Sequence, residues 1–234
     1  MFYFSLIRFF FLCIIEIALV SLSDSSPSVR KQKSTPLSQS PNLATPLEIR
    51  MANLGDVRGL SAILADSFYS HQGFMFLIHP LLRLGISEDL RTRLKSATPH
   101  YSCLAAIATI DTPSAQKQDT AGVVEMTVRS NYQTTKAKES GGKVGEFSDY
   151  LYLSNLAVSQ SYRRQGIARR LLLSCEPLAL KWGYQDIYLH VLDDNEGAKQ
   201  LYLNLGYNID RIESYPNRWI VPRPNRLLLR KTLV

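Results

Sequence analysis

A chain of 234 residues, 45% of them apolar, can bury one sizeable core and leaves room for two domains at most, so one domain with a tail is expected. Its three cysteines, Cys13, Cys103 and Cys175, are odd in number and lack CxxC spacing, which excludes a disulfide framework or a zinc knuckle and fits a reducing compartment. The net charge of +7 favours anionic partners, and six basic residues over 206–234 (Arg211, Arg218, Arg223, Arg226, Arg230, Lys231) against Asp210 and Glu213 supply +4 of it, although a solvated basic face explains that excess equally well. His71, His79, His100 and His190 show neither HxxxH nor HExxH spacing, so no metal site is expected. With no helix-turn-helix, RNP or zinc pattern, no nucleic-acid partner is expected either.

Residues 1–22, MFYFSLIRFFFLCIIEIALVSL, are almost wholly apolar. Glu16 in mid-span costs about 2.5–3.5 kcal/mol on insertion scales, and no basic start with a small-x-small cleavage site is present. Three readings stand: a leader absent from the working protein, a start codon assigned too far upstream, or a membrane anchor. Residues 23–45 are rich in Ser, Pro, Gln and Lys and too poor in large apolar groups to order themselves, so they read as a disordered linker. The folded domain is therefore expected over 46–234.

Within it, Leu47 to Met51 reads as a strand, and Val57, Leu60, Ile63, Leu64 and Phe68 recur at helical spacing behind Asp56. A second helix is expected from about Phe74 to Lys95. Strands follow at Tyr101 to Ile110 and Gly122 to Arg129 around a polar loop, and a second polar loop covers Asn131 to Phe147. Next come a strand at Tyr150 to Val158, a helix at Ile167 to Trp182, a strand at Asp186 to Leu192, a helix at Asn195 to Leu205, and strand-like runs at Tyr207 to Ile212 and Arg226 to Leu233. The order is mixed α/β, with a strand, phosphate-type turn and helix unit in its second half. Pro177 should kink the helix that holds it, about three turns beyond the turn.

That unit carries the chemistry. In YLYLSNLAVSQSYRRQGIARRLLL a β-branched and aromatic strand runs through an Arg/Gln/Gly turn straight into an apolar helix. The first N–H groups of a helix have no intrahelical partners and sit at the positive end of its dipole, which suits a pyrophosphate. Gly166 lets the backbone approach the phosphate closely, and Arg163, Arg164 and Arg169 add guanidinium forks.

Arg163-Arg164-Gln165-Gly166-Ile167-Ala168 resembles the R/Q-x-x-G-x-G/A signature of the GNAT superfamily of acetyltransferases, with the allowed Ala in last place. Downstream, Asn195-Glu196-Gly197-Ala198 through Tyr202 to Gly206-Tyr207 resembles the superfamily's N-x-x-A-x-x-x-Y-x-x-x-G-F/Y segment. With the opening strand and helix, the resemblance spans about Pro46 to Val234, and it looks most like the cyanobacterial and plastid GNAT enzymes associated with protein lysine and N-terminal acetylation.

The resemblance implies a central, mostly antiparallel sheet with a splayed strand pair, flanked by helices, and acetyl-CoA as cosubstrate with no metal. It implies that Leu156, Ala157 and Val158 pair with the pantetheine arm, that Arg163, Arg164, Gln165, Gly166, Ile167, Ala168 and Arg169 hold the pyrophosphate, and that Asn195, Glu196, Gly197 and Tyr202 lie on the cofactor's other side. Transfer is then direct: Tyr202 is expected to protonate the departing thiolate, and Glu125 is offered as the base for the attacking amine, with His190 as a weaker candidate. The implied acceptor is a protein lysine or N-terminus, with a small-molecule amine as the alternative. A non-catalytic acyl-CoA-binding regulator is a third reading, against which Tyr202 argues. The implied location is a reducing compartment, cytoplasmic or like the plastid stroma, with the membrane-anchored form as the alternative through residues 1–22.

Overall fold

The computed structural model describes residues 46–68, 75–96, 98–112, 115–136, 143–214 and 224–233. The leader or anchor and the linker expected over 1–45 lie outside them. Among the described residues, no helix is long and apolar enough to cross a membrane.

The elements run β1 (Leu47–Met51), α1 (Val57–Phe68), α2 (Met75–Lys95), β2 (Tyr101–Thr112), β3 (Ala115–Lys136), β4 (Lys143–Val158), a 3-10 turn (Gln160–Tyr162), α3 (Ile167–Lys181), β5 (Asp186–Leu192), α4 (Glu196–Asn204), β6 (Asn208–Glu213) and β7 (Arg226–Thr232). They form one seven-stranded sheet in the order β1-β2-β3-β4-β5-β7-β6. Every pairing is antiparallel except that of β4 with β5.

Both expected polar loops are largely strand. Gln116 to Thr120 pair back on Asp111 to Ile107, and the β3–β4 ladder continues from Arg129 against Tyr150 out to Lys136 against Lys143. These hairpin extensions satisfy their backbones by pairing with each other, and their sequences lack hydrophobic alternation, the signal by which a strand is read.

Period-2 alternation sorts the remaining side chains between two cores. On one face Leu104, Ala106, Val124, Met126, Leu151, Leu153, Ile187, Leu189 and Leu229 meet α3 and α4 through Ile167, Leu171, Leu172, Cys175 and Tyr202. On the other, Cys103, Ala105, Ile107 and Val123 meet Val57, Leu60, Ile63 and Leu64 of α1 and Leu90 of α2. Gly59 allows α1 to approach β3 closely, because a Cβ there would stand 2.2 Å from the Thr120 hydroxyl. Arg50 forks onto both carboxylate oxygens of Asp56 at 2.7 and 2.9 Å, and the same carboxylate accepts the Asn53 N–H at 2.8 Å, tying β1 to the start of α1. Pro177 lies inside α3, which continues to Lys181, and Pro80 lies inside α2.

Candidate active site

The site begins with an interruption in β4. Val123 pairs with Ala157 and Glu125 with Ser154, so Asn155 and Leu156 together stand opposite Val124 in a bulge. Asn155 absorbs it in the left-handed region, at φ 55°. Its side-chain amide donates to Glu125 Oε1 at 3.1 Å, and the other Glu125 oxygen meets the Arg93 guanidinium of α2. Glu125 is only 1% exposed. Burial pushes its carboxyl up, against the pull of Arg93 and Asn155. The carboxylate expected to serve as base is therefore engaged on both oxygens, where it holds the bulge.

Already before the bulge β4 loses its second neighbour. The parallel pairing with β5 consists of Leu151 with Ile187 and Tyr152 with Tyr188. From there β5 stays with β7 through Leu192, while β4 runs on beside β3 to Val158. Leu153 to Val158 consequently present an open strand edge toward β5, and Leu156, Ala157 and Val158 lie on it as expected. A ligand with amide groups can pair there as an extra strand.

The open edge ends in the basic turn. The Tyr162 hydroxyl donates to Asp119 at 3.0 Å and pins the 3-10 turn to β3. Arg163 Nε donates to the Val158 carbonyl at 3.2 Å, and Gln165 Nε2 to that of Ser161 at 3.4 Å. Arg164 and Gly166 then both take positive φ, 64° and 75°. Gly166 is the N-cap of α3 and supplies no capping side chain, so the N–H groups of Ile167, Ala168 and Arg169 are left for another acceptor. A Cβ built on Gly166 would meet no atom within 4 Å. Glycine suits this position through its backbone conformation, and no protein atom crowds the space a Cβ would take. Arg163, Arg164 and Arg169 are exposed around the turn, whereas Ile167 is buried and anchors the helix. The neighbouring Arg170 is committed elsewhere, donating to the Leu47 carbonyl at 2.9 Å. This cradle fits a pyrophosphate.

On the far side of β5, Asn195 caps α4 by accepting the Ala198 N–H at 3.1 Å, and Glu196 pairs with Lys199 at 2.7 Å. Asn195, Glu196 and Gly197 are exposed at that helix start. Tyr202, one turn further, is 7% exposed and packs on Tyr207 at 5.8 Å between ring centres. Burial, and then the nearby Tyr152, push its phenol up to about 12.

The residue that sequence reasoning missed is Tyr152, which meets His190, the weaker candidate for the base. Tyr152 is the last residue of β4 paired to β5, and its hydroxyl lies 2.8 Å from His190 Nδ1. His190 Nε2 in turn lies 3.2 Å from Glu213 Oε2, an ion-pair approach rather than an aligned hydrogen bond. Burial first, then the Arg226 and Arg129 charges, hold this imidazole below the usual histidine range, against the pull of Glu213. The groups come from β4, β5 and β6, which no local motif joins. The register of His190 with Tyr188 was legible, but its meeting with Tyr152 depends on a two-residue parallel pairing. Among the described residues no group of His, Cys, Asp and Glu could hold a metal ion.

An open strand edge ending on an arginine-flanked, glycine-started helix, with titratable side chains beside it, fits an acyl-CoA-dependent acyltransferase. Residues 116–207 match the acetyltransferase (GNAT) family. The GCN5-related N-acetyltransferase 10, chloroplastic, of Arabidopsis thaliana is 29% identical over 195 residues, 79% of this chain and 72% of its own length. A thialysine N-epsilon-acetyltransferase of Bos taurus is 31% identical over 122 residues, 52% of this chain and 64% of its own. The crystal structure of Arabidopsis thaliana NAA60 in complex with a bisubstrate analogue superposes with a TM-score of 0.55 at 18% identity, covering 81% of this chain and all of that one, and so shares the fold. The chain carries an acetyl-CoA-dependent N-acetyltransferase domain of the GNAT family.

Proposed function

We propose that this protein acetylates a protein amine, an N-terminus or a lysine side chain, with His190 receiving the amine's proton. The observation that carries the reading is the continuous path from the buried Tyr152 and half-buried His190, along the open edge of β4, to the Gly166 turn. Bound acetyl-CoA supplies a thioester whose acyl carbon a neutral amine attacks.

The N–H groups of residues 167–169, with Arg163, Arg164 and Arg169, hold the pyrophosphate, and the edge at Leu156 to Val158 orients the arm. Asn195, Glu196 and Gly197 border the same ligand from the start of α4. His190 stays neutral near pH 7 because its pKa is depressed, so its ring can take the proton directly or through water, and Tyr152 fixes the ring through Nδ1. At the sulfur, Tyr202 donates a hydrogen bond. A phenol raised to about 12 is a weaker acid than a thiol of about 8.5, so its contribution is a bond that strengthens as charge develops. Glu125 is assigned to holding the Asn155 bulge and hence the line of the open edge. Support for a protein acceptor is the breadth of the face on which Tyr150, Tyr188 and His190 stand half-buried around the pair. The names of the chloroplast relatives favour the plastid stroma as the place of work, against a membrane-bound form held by residues 1–22.

Mass spectrometry of a proteome co-expressed with the wild type and with His190→Gln tests the reading. New acetylated protein amines that disappear with the variant are expected. Turnover confined to small amines would contradict it.

A further inference from the structure

Among the described residues on the acceptor face of this site, one guanidinium meets no carboxylate. Arg129, on β3 opposite Tyr150, lies with its Cζ 3.6 Å from the centre of the Tyr152 ring. It makes no hydrogen bond or ion pair with any described residue, whereas its neighbours are committed: Arg230 to Asp186 at 2.8 Å and Arg226 toward Glu213 at 4.0 Å. Stacking uses the flat face of a guanidinium and leaves the N–H donors on its edge free. Those donors stand beside the hydroxyl that holds His190, and so beside the position of the reacting amine.

The other cations of this face are matched by acids. Arg226 lies toward Glu213, and Arg230 pairs with Asp186 and also feels Asp210. Among the described residues Arg129 meets no carboxylate, so its charge disfavours an ammonium ion beside it and attracts an acceptor that brings its own negative charge.

We propose that Arg129 is a specificity-determining residue that binds a carboxylate adjacent to the amine being acetylated. Resting on the acetyltransferase reading above, it narrows the acceptor to an amine with an acidic neighbour, either an acidic residue beside a polypeptide N-terminus or the carboxylate of a free amino acid. A charge-assisted, two-pronged bond from arginine is worth about 10- to 100-fold in affinity.

The test is steady-state kinetics of the full chain with C-terminally amidated peptides that differ only in an acidic, neutral or basic second residue, and with free glutamate against its α-amide. The wild type should prefer the acidic peptide, or the free amino acid, by about 10-fold or more in kcat/KM, carried mainly in KM, and the preferred set identifies the source of the carboxylate. Arg129→Gln should bring the acidic-to-neutral ratio close to one, with Arg129→Lys restoring part of it. The KM of the preferred wild-type acceptor should also rise with salt, a readout independent of any variant's folding. Equal rates for acidic, neutral and basic acceptors in the wild type, or an unchanged ratio in Arg129→Gln, would overturn the assignment. Calorimetry with acetyl-CoA alone separates the two readings: failure to bind it removes the acetyltransferase reading and this inference with it, whereas binding with an indifferent acceptor panel removes only this one.

Discussion

The Gly166 turn and the Tyr152–His190 pair stand at the two ends of one strand edge and are built by opposite means. The turn is made of backbone: two positive-φ residues, an uncapped helix start and side chains contiguous in sequence. The pair is made of side chains from different strands, brought together only because β4 touches β5 for two residues before leaving it. Binding by the turn thus depends on local conformation, whereas proton transfer depends on the register of the whole sheet. Substitutions should separate these functions cleanly.

The largest effect should fall at the turn. Gly166→Asp puts a negative side chain into the empty space at the start of α3 and forces a non-glycine residue to φ 75°, so acetyl-CoA affinity should drop by about 100-fold or more in calorimetry, with the circular dichroism spectrum retained. At the other end, His190→Gln should lower kcat by about 100-fold while acetyl-CoA affinity changes little. In the wild type, log kcat/KM should fall as pH drops through the depressed imidazole pKa. The base works only when deprotonated, so this limb lies below the ordinary value of 6.5 and vanishes in the variant. A limb at or above 6.5 would break the assignment.

Glu125→Gln discriminates between the two carriers of the base role. The amide keeps an acceptor for Asn155 but removes one of the two carboxylates on the half-buried Arg93, leaving Asp89 at 2.5 Å, so stability should fall by on the order of 1–3 kcal/mol in thermal melts while kcat changes only several-fold. A loss in kcat as large as that of His190→Gln would return the role to Glu125. Smaller again, Tyr202→Phe should lower kcat about 10-fold at constant acetyl-CoA affinity, since the ring and its packing on Tyr207 persist. No change in affinity or rate is expected on removing residues 1–45, and an insoluble product would move the domain boundary.

The same division explains what could be read from the amino acids. The helix starts and turn residues were local: Gly166, the Asn195 cap and the strand Asp186–Leu192 stand where their types and spacing put them. Strand lengths were misjudged where the ladders are polar in sequence, because backbone pairing alone leaves no periodic trace in the residue types. Glu125 looked like a strand carboxylate free to act. Only the packing of α2 against β3 shows that Arg93 reaches it, and only the bulge at Asn155 shows why a buried carboxylate is needed there. Tyr152 was legible as a strand residue, but its proximity to His190 is a property of sheet register, as is that of Arg129 to Tyr152.

The central claim, that the open edge of β4 and the start of α3 together hold acetyl-CoA, is tested most directly by following backbone amide resonances of the labelled protein during titration with acetyl-CoA. The largest shifts should fall on Leu156 to Val158 and on Gly166 to Arg169, with β1 unchanged. Saturable binding that leaves those two stretches unmoved and perturbs residues elsewhere in the sheet would contradict the account.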